Sequence, residues 1–476
     1  MVSSAPFLLP EGFRFGVATS GFQVEGGYNG PGEPRNNWYQ WEKSGRVEPS
    51  GVALDFWNRY EEQLDRAVEA GCDAFRLSVE WARCEPQPGD LDEDAFDRYA
   101  EILEGCHRRG LQPLVTLHHF THPEWLGVDF WLRPEAPKLF VLWVRAAVVR
   151  LGGLCRHWVT VNEPNVYAIN SYLTGTFPPG RRLARRDAMR ALDQLLAGHV
   201  LAYGEIHSLQ PEAVVATNLF AYSAYHLDRL AVDLLLARRY GVSREDLPRW
   251  LAGRRTAYEA ALPKMGVGER LLRRIIGAAL PLEQALPRAV EEIFGSPHEC
   301  TLDVTQIDYY DPVVSNHVRL PGHRTAGGRN WLPTRMLWDD RPDPDGLIAY
   351  SQLHHEQGLP LWVLENGLCS RVRNGRFYLR SDGWDRLRYL RANLAAVVRA
   401  IDAGIPVGSY YHWTLADSYE WGSYEPRFGL YRIERKGGDI GWGSLDALGG
   451  DASSLYRRII QGLRAGDRSV LEASPV

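Results

Sequence analysis

Short apolar runs alternate with longer amphipathic stretches along most of the chain. The apolar runs are rich in β-branched and aromatic residues. Eight of them read as buried strands, over 13–20, 74–81, 112–120, 157–163, 214–220, 303–310, 360–365 and 406–415. The stretches between them place apolar residues three and four apart, as a helix with one buried face requires. Three are sharply bounded: 59–70, 94–109 and 384–403 stop at Gly71, Gly110 and Gly404, and glycine is the natural left-handed cap of a helix end. Helix, glycine, short loop and buried strand, repeated, predict β/α units. Eight such units close into a (β/α)8 TIM barrel, an α/β fold whose functional residues sit on the loops that follow the strands.

Such a barrel needs only about 250 residues, whereas this chain has 476. No Ser/Gly/Pro linker or low-complexity tract divides it, so residues 1–476 are expected to form a single barrel domain with long βα-loop insertions. The largest, at about 221–302, is helical in pattern and arginine-rich, as at 270–274. It follows the fifth strand. It reads equally as a wall over the pocket and as a solvated helical decoration.

Charge and cysteines narrow the function classes. A net charge of −5 is too mild to point to nucleic acid or an anionic membrane. No apolar run is long enough to span a bilayer. The first ten residues lack a basic stretch and are cut by prolines, unlike a signal peptide, so a cytoplasmic location is expected. Cysteines 72, 84, 106, 155, 300 and 369 form no C-x-x-C and no zinc-ligand spacing, which predicts buried free thiols and no metal. The 16 tryptophans and 22 tyrosines are many; they can fill a core, and aromatic faces also make good platforms for the apolar C–H face of a sugar.

The chemistry lies at the strand ends. His157-Trp158-Val159-Thr160-Val161 runs into Asn162-Glu163-Pro164, and Leu361-Trp362-Val363-Leu364 into Glu365-Asn366-Gly367. A buried strand that ends in a carboxylate and then a turn residue aims the carboxylate out of its end. Singly, such a glutamate is commonly a helix cap or a surface ion-pair partner. Two of them, far apart in sequence, can face each other across one pocket, as glycosidic bond cleavage requires. The other strand ends agree. They carry Gln23 and Glu25 after the first, Arg76 in the second, His118-His119-Phe120 after the third, Asp308-Tyr309-Tyr310 at the sixth, and Trp413, Asp417, Glu420 and Trp421 after the eighth.

Taken in this order, N-E-P, then E-N-G, then W-x-L-x-D-x-x-E-W, the motifs resemble family 1 glycoside hydrolases, the β-glucosidase and β-glycosidase group. The resemblance runs from Phe13-Arg14-Phe15-Gly16 to Arg427-Phe428-Gly429-Leu430. It implies a retaining exo-β-glycosidase acting on terminal β-linked sugars, with a small-molecule glycoside or oligosaccharide as substrate and no cofactor. It implies Glu163 as acid/base and Glu365 as nucleophile, with Arg76 and Tyr310 holding Glu365. It implies Gln23, His119, Asn162, Trp413, Glu420 and Trp421 as sugar-binding residues, and their chemistry suits a ring of hydroxyls that both donate and accept. Glucose is the favoured sugar, with galactose and fucose open. Two other readings stay open: a transglycosidase or tailoring glycosidase for a glycosylated small molecule, and a glycan-binding protein that has lost catalysis.

Some positions depart from the family pattern. Asp308 stands where asparagine is usual. If ionised it raises the pKa of Glu163; alternatively it pairs with Arg76 or is neutral. Phe120 replaces a more usual tryptophan, and His412 precedes Trp413 where an aromatic is common. The stretch Gly422-Ser423-Tyr424-Glu425-Pro426-Arg427 lacks the Ser/Lys/Tyr set that resembles 6-phosphate recognition, which favours unphosphorylated sugars.

Overall fold

A computed structural model of the protein describes residues 7–262, 286–310, 342–374, 376–380, 382–436 and 439–472. All eight anticipated strands form, with shorter bounds. They are β1 (Arg14–Ala18), β2 (Ala74–Ser78), β3 (Gln112–Thr116), β4 (His157–Val159), a fifth strand in two pieces, β7 (Thr305–Asp308), β8 (Leu361–Asn366) and β9 (Val407–Trp413). The fifth is broken at Thr217 and Asn218: β5 (Val214–Ala216) pairs with β4, and β6 (Leu219–Phe220) pairs with β7. Every pairing in the order β5-β4-β3-β2-β1-β9-β8-β7-β6 is parallel, and the two halves of the fifth strand close the ring.

Two apolar clusters follow from this geometry. A small one gathers Ala18, Ala74, Leu114, Val159, Leu364, Tyr411 and Trp413, contributed by six strands, as residues pointing into a barrel must be. The large one lies between the strands and the surrounding helices. Gly16 is required by the first: a Cβ there would sit 2.6 Å from the Tyr411 ring. Helices α1 (Phe56–Glu69), α2 (Glu93–Arg108) and α3 (Arg386–Asp402) each end two residues before the anticipated glycine. Gly71, Gly110 and Gly404 adopt φ of +87°, +69° and +82°, a region that only glycine enters without strain.

The insertion differs from both expectations in part. Its described portion contains helices Tyr225–Leu236, Leu247–Ala261 and Pro287–Gly295, while 263–285, with the arginine-rich 270–274, lie outside the described residues. Tyr225–Leu236 is buried along nearly its whole length, so this part is no solvated decoration. It is fastened by a buried ion network. Arg229 contacts Asp233 at 2.8 Å and also Glu356; Arg254 reaches Asp233 at 2.7 Å and Glu356 at 2.6 Å. Glu356 lies in the link that enters β8, away from the strand ends that carry the glutamates. No described helix is long and apolar enough to cross a membrane.

Candidate active site

Local backbone chemistry sets the two glutamates. Pro164 begins the helix Pro164–Ile169, where its missing N–H costs nothing. Glu163 precedes it at φ +39°, ψ +62°, an uncommon conformation for a side-chain-bearing residue. Its carboxyl makes no cap to that helix, which removes the ordinary structural explanation for a glutamate there. After Glu365 the glycine is obligatory, because a Cβ on Gly367 would collide with the Trp413 carbonyl.

Glu163 and Glu365 then converge. One oxygen of each lies within 4.8 Å of the other, and Asp308 brings a third oxygen within the same distance of both. Glu163 and Glu365 keep 5% and 4% of their surface exposed, enough for a small reactant to touch; Asp308 and Arg76 keep none. Each Arg76 nitrogen donates to a neighbour: Nη1 to Glu365, Nη2 to the Asn162 side-chain carbonyl, and Nε to Thr116 Oγ1 at 3.1 Å. Tyr310 donates to the other Glu365 oxygen at 2.7 Å. Asn218, at the break in the fifth strand, donates to Asn162 Oδ1 at 2.8 Å and to Asp308.

These contacts separate the two carboxyls. Burial raises the pKa of both. Arg76 and the Tyr310 hydroxyl pull Glu365 back, whereas the charges of Asp308 and Glu365 push Glu163 further up, well above the ordinary glutamate range. Of the readings open for Asp308, the pairing with Arg76 does not form. Asp308 instead accepts from Asn218 and shares a hydrogen bond with Glu163, and its own pKa is driven well up, by burial first. Glu163, Asp308 and Glu365 are, among the described residues, the one set of three acids whose oxygens can meet at a point. Three oxygens beside an arginine fall short of the six or more that a hard cation wants, so the set suits protons better than a metal.

The remaining anticipated residues line the same end of the barrel. Gln23 is clamped: it accepts from Ser20 Oγ at 2.7 Å and donates to the Tyr419 carbonyl at 2.8 Å and to Glu420 at 3.1 Å. Burial lifts the Glu420 carboxyl to about 8. His119 is buried and held neutral, its pKa well below 6.5, again because of burial, and its Nδ1 has no partner among the described residues. Its ring lies 6.0 Å from that of Trp413 and 5.8 Å from that of Trp421. Asn162 Nδ2 points to Glu163 at 3.5 Å.

Other strand-end residues are structural. Asp417 accepts from the Gly429 N–H at 3.0 Å, His412 bonds the Phe428 carbonyl at 3.3 Å, and His118 accepts from Trp131 at 3.0 Å. Glu25 lies in a buried cluster with Tyr28, Tyr99 and Arg83. The six cysteines are free, and all but the half-buried Cys300 are buried. Asn218 and Thr116 were not anticipated. The Thr217-Asn218 pair inside an otherwise apolar run is the signal that would have marked the first.

The chain is similar to known proteins over most of its length. The model of glycosyl hydrolase family 1 matches residues 6–250 and 299–441. Beta-glucosidase 5 of Oryza sativa subsp. japonica is 26% identical, over 89% of this chain and 85% of its own. 6-phospho-beta-galactosidase 1 of Streptococcus pneumoniae is 27% identical, over 90% and 94%. The beta-galactosidase of Sulfolobus acidocaldarius is 27% identical, over 89% and 91%. The beta-glucosidase of Thermotoga maritima, solved in complex with noeuromycin, shares the fold with a TM-score of 0.72 at 23% identity, covering 96% of this chain and 99% of that one.

Proposed function

Since the chain belongs to glycosyl hydrolase family 1 and is thereby an O-glycosyl hydrolase, we propose that it cleaves terminal β-glucosides with retention, by double displacement at Glu365 and Glu163. The observation that carries this is the approach of the two carboxylates to within 4.8 Å. Retaining enzymes hold their pair at about 5–5.5 Å, whereas inverting ones leave about 6.5–9.5 Å for a water.

In the first step a Glu365 oxygen bonds to the anomeric carbon. The bond to the leaving oxygen breaks, and that oxygen takes its electron pair and the Glu163 proton. In the second, water attacks the anomeric carbon and gives a proton to Glu163, and the bond to Glu365 breaks. Arg76 and Tyr310 are suited to keep Glu365 ionised for attack. Asn162 is suited to the 2-hydroxyl, Gln23, His119, Glu420 and Trp421 to the other hydroxyls, and Trp413 to the ring face. The buried carboxyl of Glu420 and the lack of a Ser/Lys/Tyr set favour a sugar without a 6-phosphate.

The test is release of p-nitrophenol from β-D-glucoside, galactoside, fucoside, mannoside and xyloside, with the glucoside 6-phosphate beside them. The glucoside is expected first, the β-anomer of the sugar is expected as first product by NMR, and Glu365→Gln is expected to fall to background. Glu163→Gln should lose about 10²–10⁴-fold on substrates that need acid assistance. A fully active Glu365→Gln, or the α-anomer as first product, would refute the mechanism.

A further inference from the structure

Resting on that reading of the site, we propose that Asp308 is a positioning residue for Glu163: the two side chains hold one proton between them and keep it available for the leaving group to a higher pH than Glu163 alone would.

The argument is one of unmet partners. Asp308 is wholly buried and makes no ion pair among the described residues; the three Arg76 nitrogens bond Glu365, Asn162 and Thr116, so that cation acts on Asp308 only from a distance. Asn218 satisfies one Asp308 oxygen. The second, Oδ1, and Glu163 Oε1 are both buried without a donor among the described residues. Two adjacent carboxyls in that state cannot both ionise, and a proton shared between them serves both. Oxygens of the two side chains lie within 4.8 Å of each other, so a proton carried by Glu163 can face Asp308.

The other groups around Glu163 are accounted for. Glu365 from β8 is paired with Arg76 from β2, which offsets part of the push of Glu365 on Glu163. Tyr310, beyond β7, and Tyr222, after β6, are buried phenols whose pKa values are raised, so they stay neutral. His119, after β3, is neutral as well. Asp308 is therefore the one uncompensated acid. When Glu163 gives its proton to the leaving oxygen, two anions are left side by side. That makes Glu163 a weaker acid in the first step and a stronger base toward water in the second.

The test is Asp308→Asn, an isosteric change whose new amide oxygen can still accept from Asn218. The readout is kcat/KM against pH for two substrates: a methyl β-glycoside, which needs the proton, and a 2,4-dinitrophenyl β-glycoside, which does not. With the methyl glycoside the basic limb is expected to move at least tenfold in proton concentration toward lower pH. With the dinitrophenyl glycoside the limb is expected to stay put. An unmoved limb for the methyl glycoside, or the same shift for both substrates, overturns the proposal. If Asp308→Asn does not fold, Asp308→Ser carries the same two-substrate comparison with the same expected and overturning results, and a wild-type basic limb within a unit of the ordinary glutamate value of 4.5 overturns the proposal by itself. An active Glu365→Gln would instead sink the underlying reading, so the two failures are told apart.

Discussion

Arg76 is the residue on which the charge balance of the site turns. It is wholly buried, with Glu365 at one nitrogen and Asn162 at another. Removing one partner of a buried ion pair strands the other and costs about 3–5 kcal/mol. Arg76→Met is therefore expected to lower the melting temperature by several degrees. It should also raise the pKa of Glu365, since the cation is the strongest influence holding that carboxyl down against burial. A nucleophile must be ionised, so the acidic limb of kcat/KM should move to higher pH. Parallel melting curves and pH profiles check both, and an acidic limb in its wild-type place would show that Glu365 does not depend on Arg76. This dependence was half legible in the sequence. Arg76 lies within one barrel strand and Glu365 near the end of another, which announces that they can meet. That Arg76 pairs with Glu365 and not with Asp308 goes with Thr116 and Asn162 reaching the same guanidinium, and only the assembled barrel brings those together.

At the scale of elements, the strands and the glycine-stopped helices were readable because each is set by local pattern: an apolar run buried on both faces, or a helical stripe closed at Gly71, Gly110 or Gly404. The break in the fifth strand was not, because 214–220 is apolar enough to be one strand and its division reflects the different neighbours of β5 and β6. Nor was the anchoring of the helix Tyr225–Leu236. Arg229 and Asp233 look like an ordinary exposed i,i+4 pair until Glu356, more than a hundred residues on, joins them in the interior. Glu356→Ala would leave Arg229 buried with Asp233 as its only described acid, while Arg254 stays one-third exposed and can turn to water. A loss of about 3–5 kcal/mol is expected in urea unfolding, together with faster proteolysis in the 225–261 helices. A variant as stable as the parent would show that the network adds nothing to the attachment of this segment.

For the whole molecule, buried acids and buried histidines tilt stability in opposite directions. Burial raises Asp193 to about 6, Glu80 to about 7 and Glu420 to about 8. Such acids stay protonated in the fold where the unfolded chain has already released its protons. Their contribution is whole below the unfolded values near 4 and is lost as pH climbs through the folded ones. Burial lowers His122, His157, His199 and His226 to about 4 and His412 to about 3. Theirs is whole above 6.5 and is lost as pH falls. From 6.5 to 8 the lowered histidines no longer change, while the acids, and His207 whose pKa Asp303 raises against burial, lose their contributions, so the melting temperature should fall across that range. It should fall less in Glu80→Gln, and a flat or rising wild-type curve would contradict this. The split fifth strand gives the barrel a further property. Backbone hydrogen bonds tie β5 to β4 and β6 to β7, and at the break between the two halves the side-chain amide of Asn218 grips Asn162 on one side and Asp308 on the other. It works as a clasp: the rim is fastened by the same groups that tune its protons, so a shift in the charge at Asp308 is also a tug on the ring's closure.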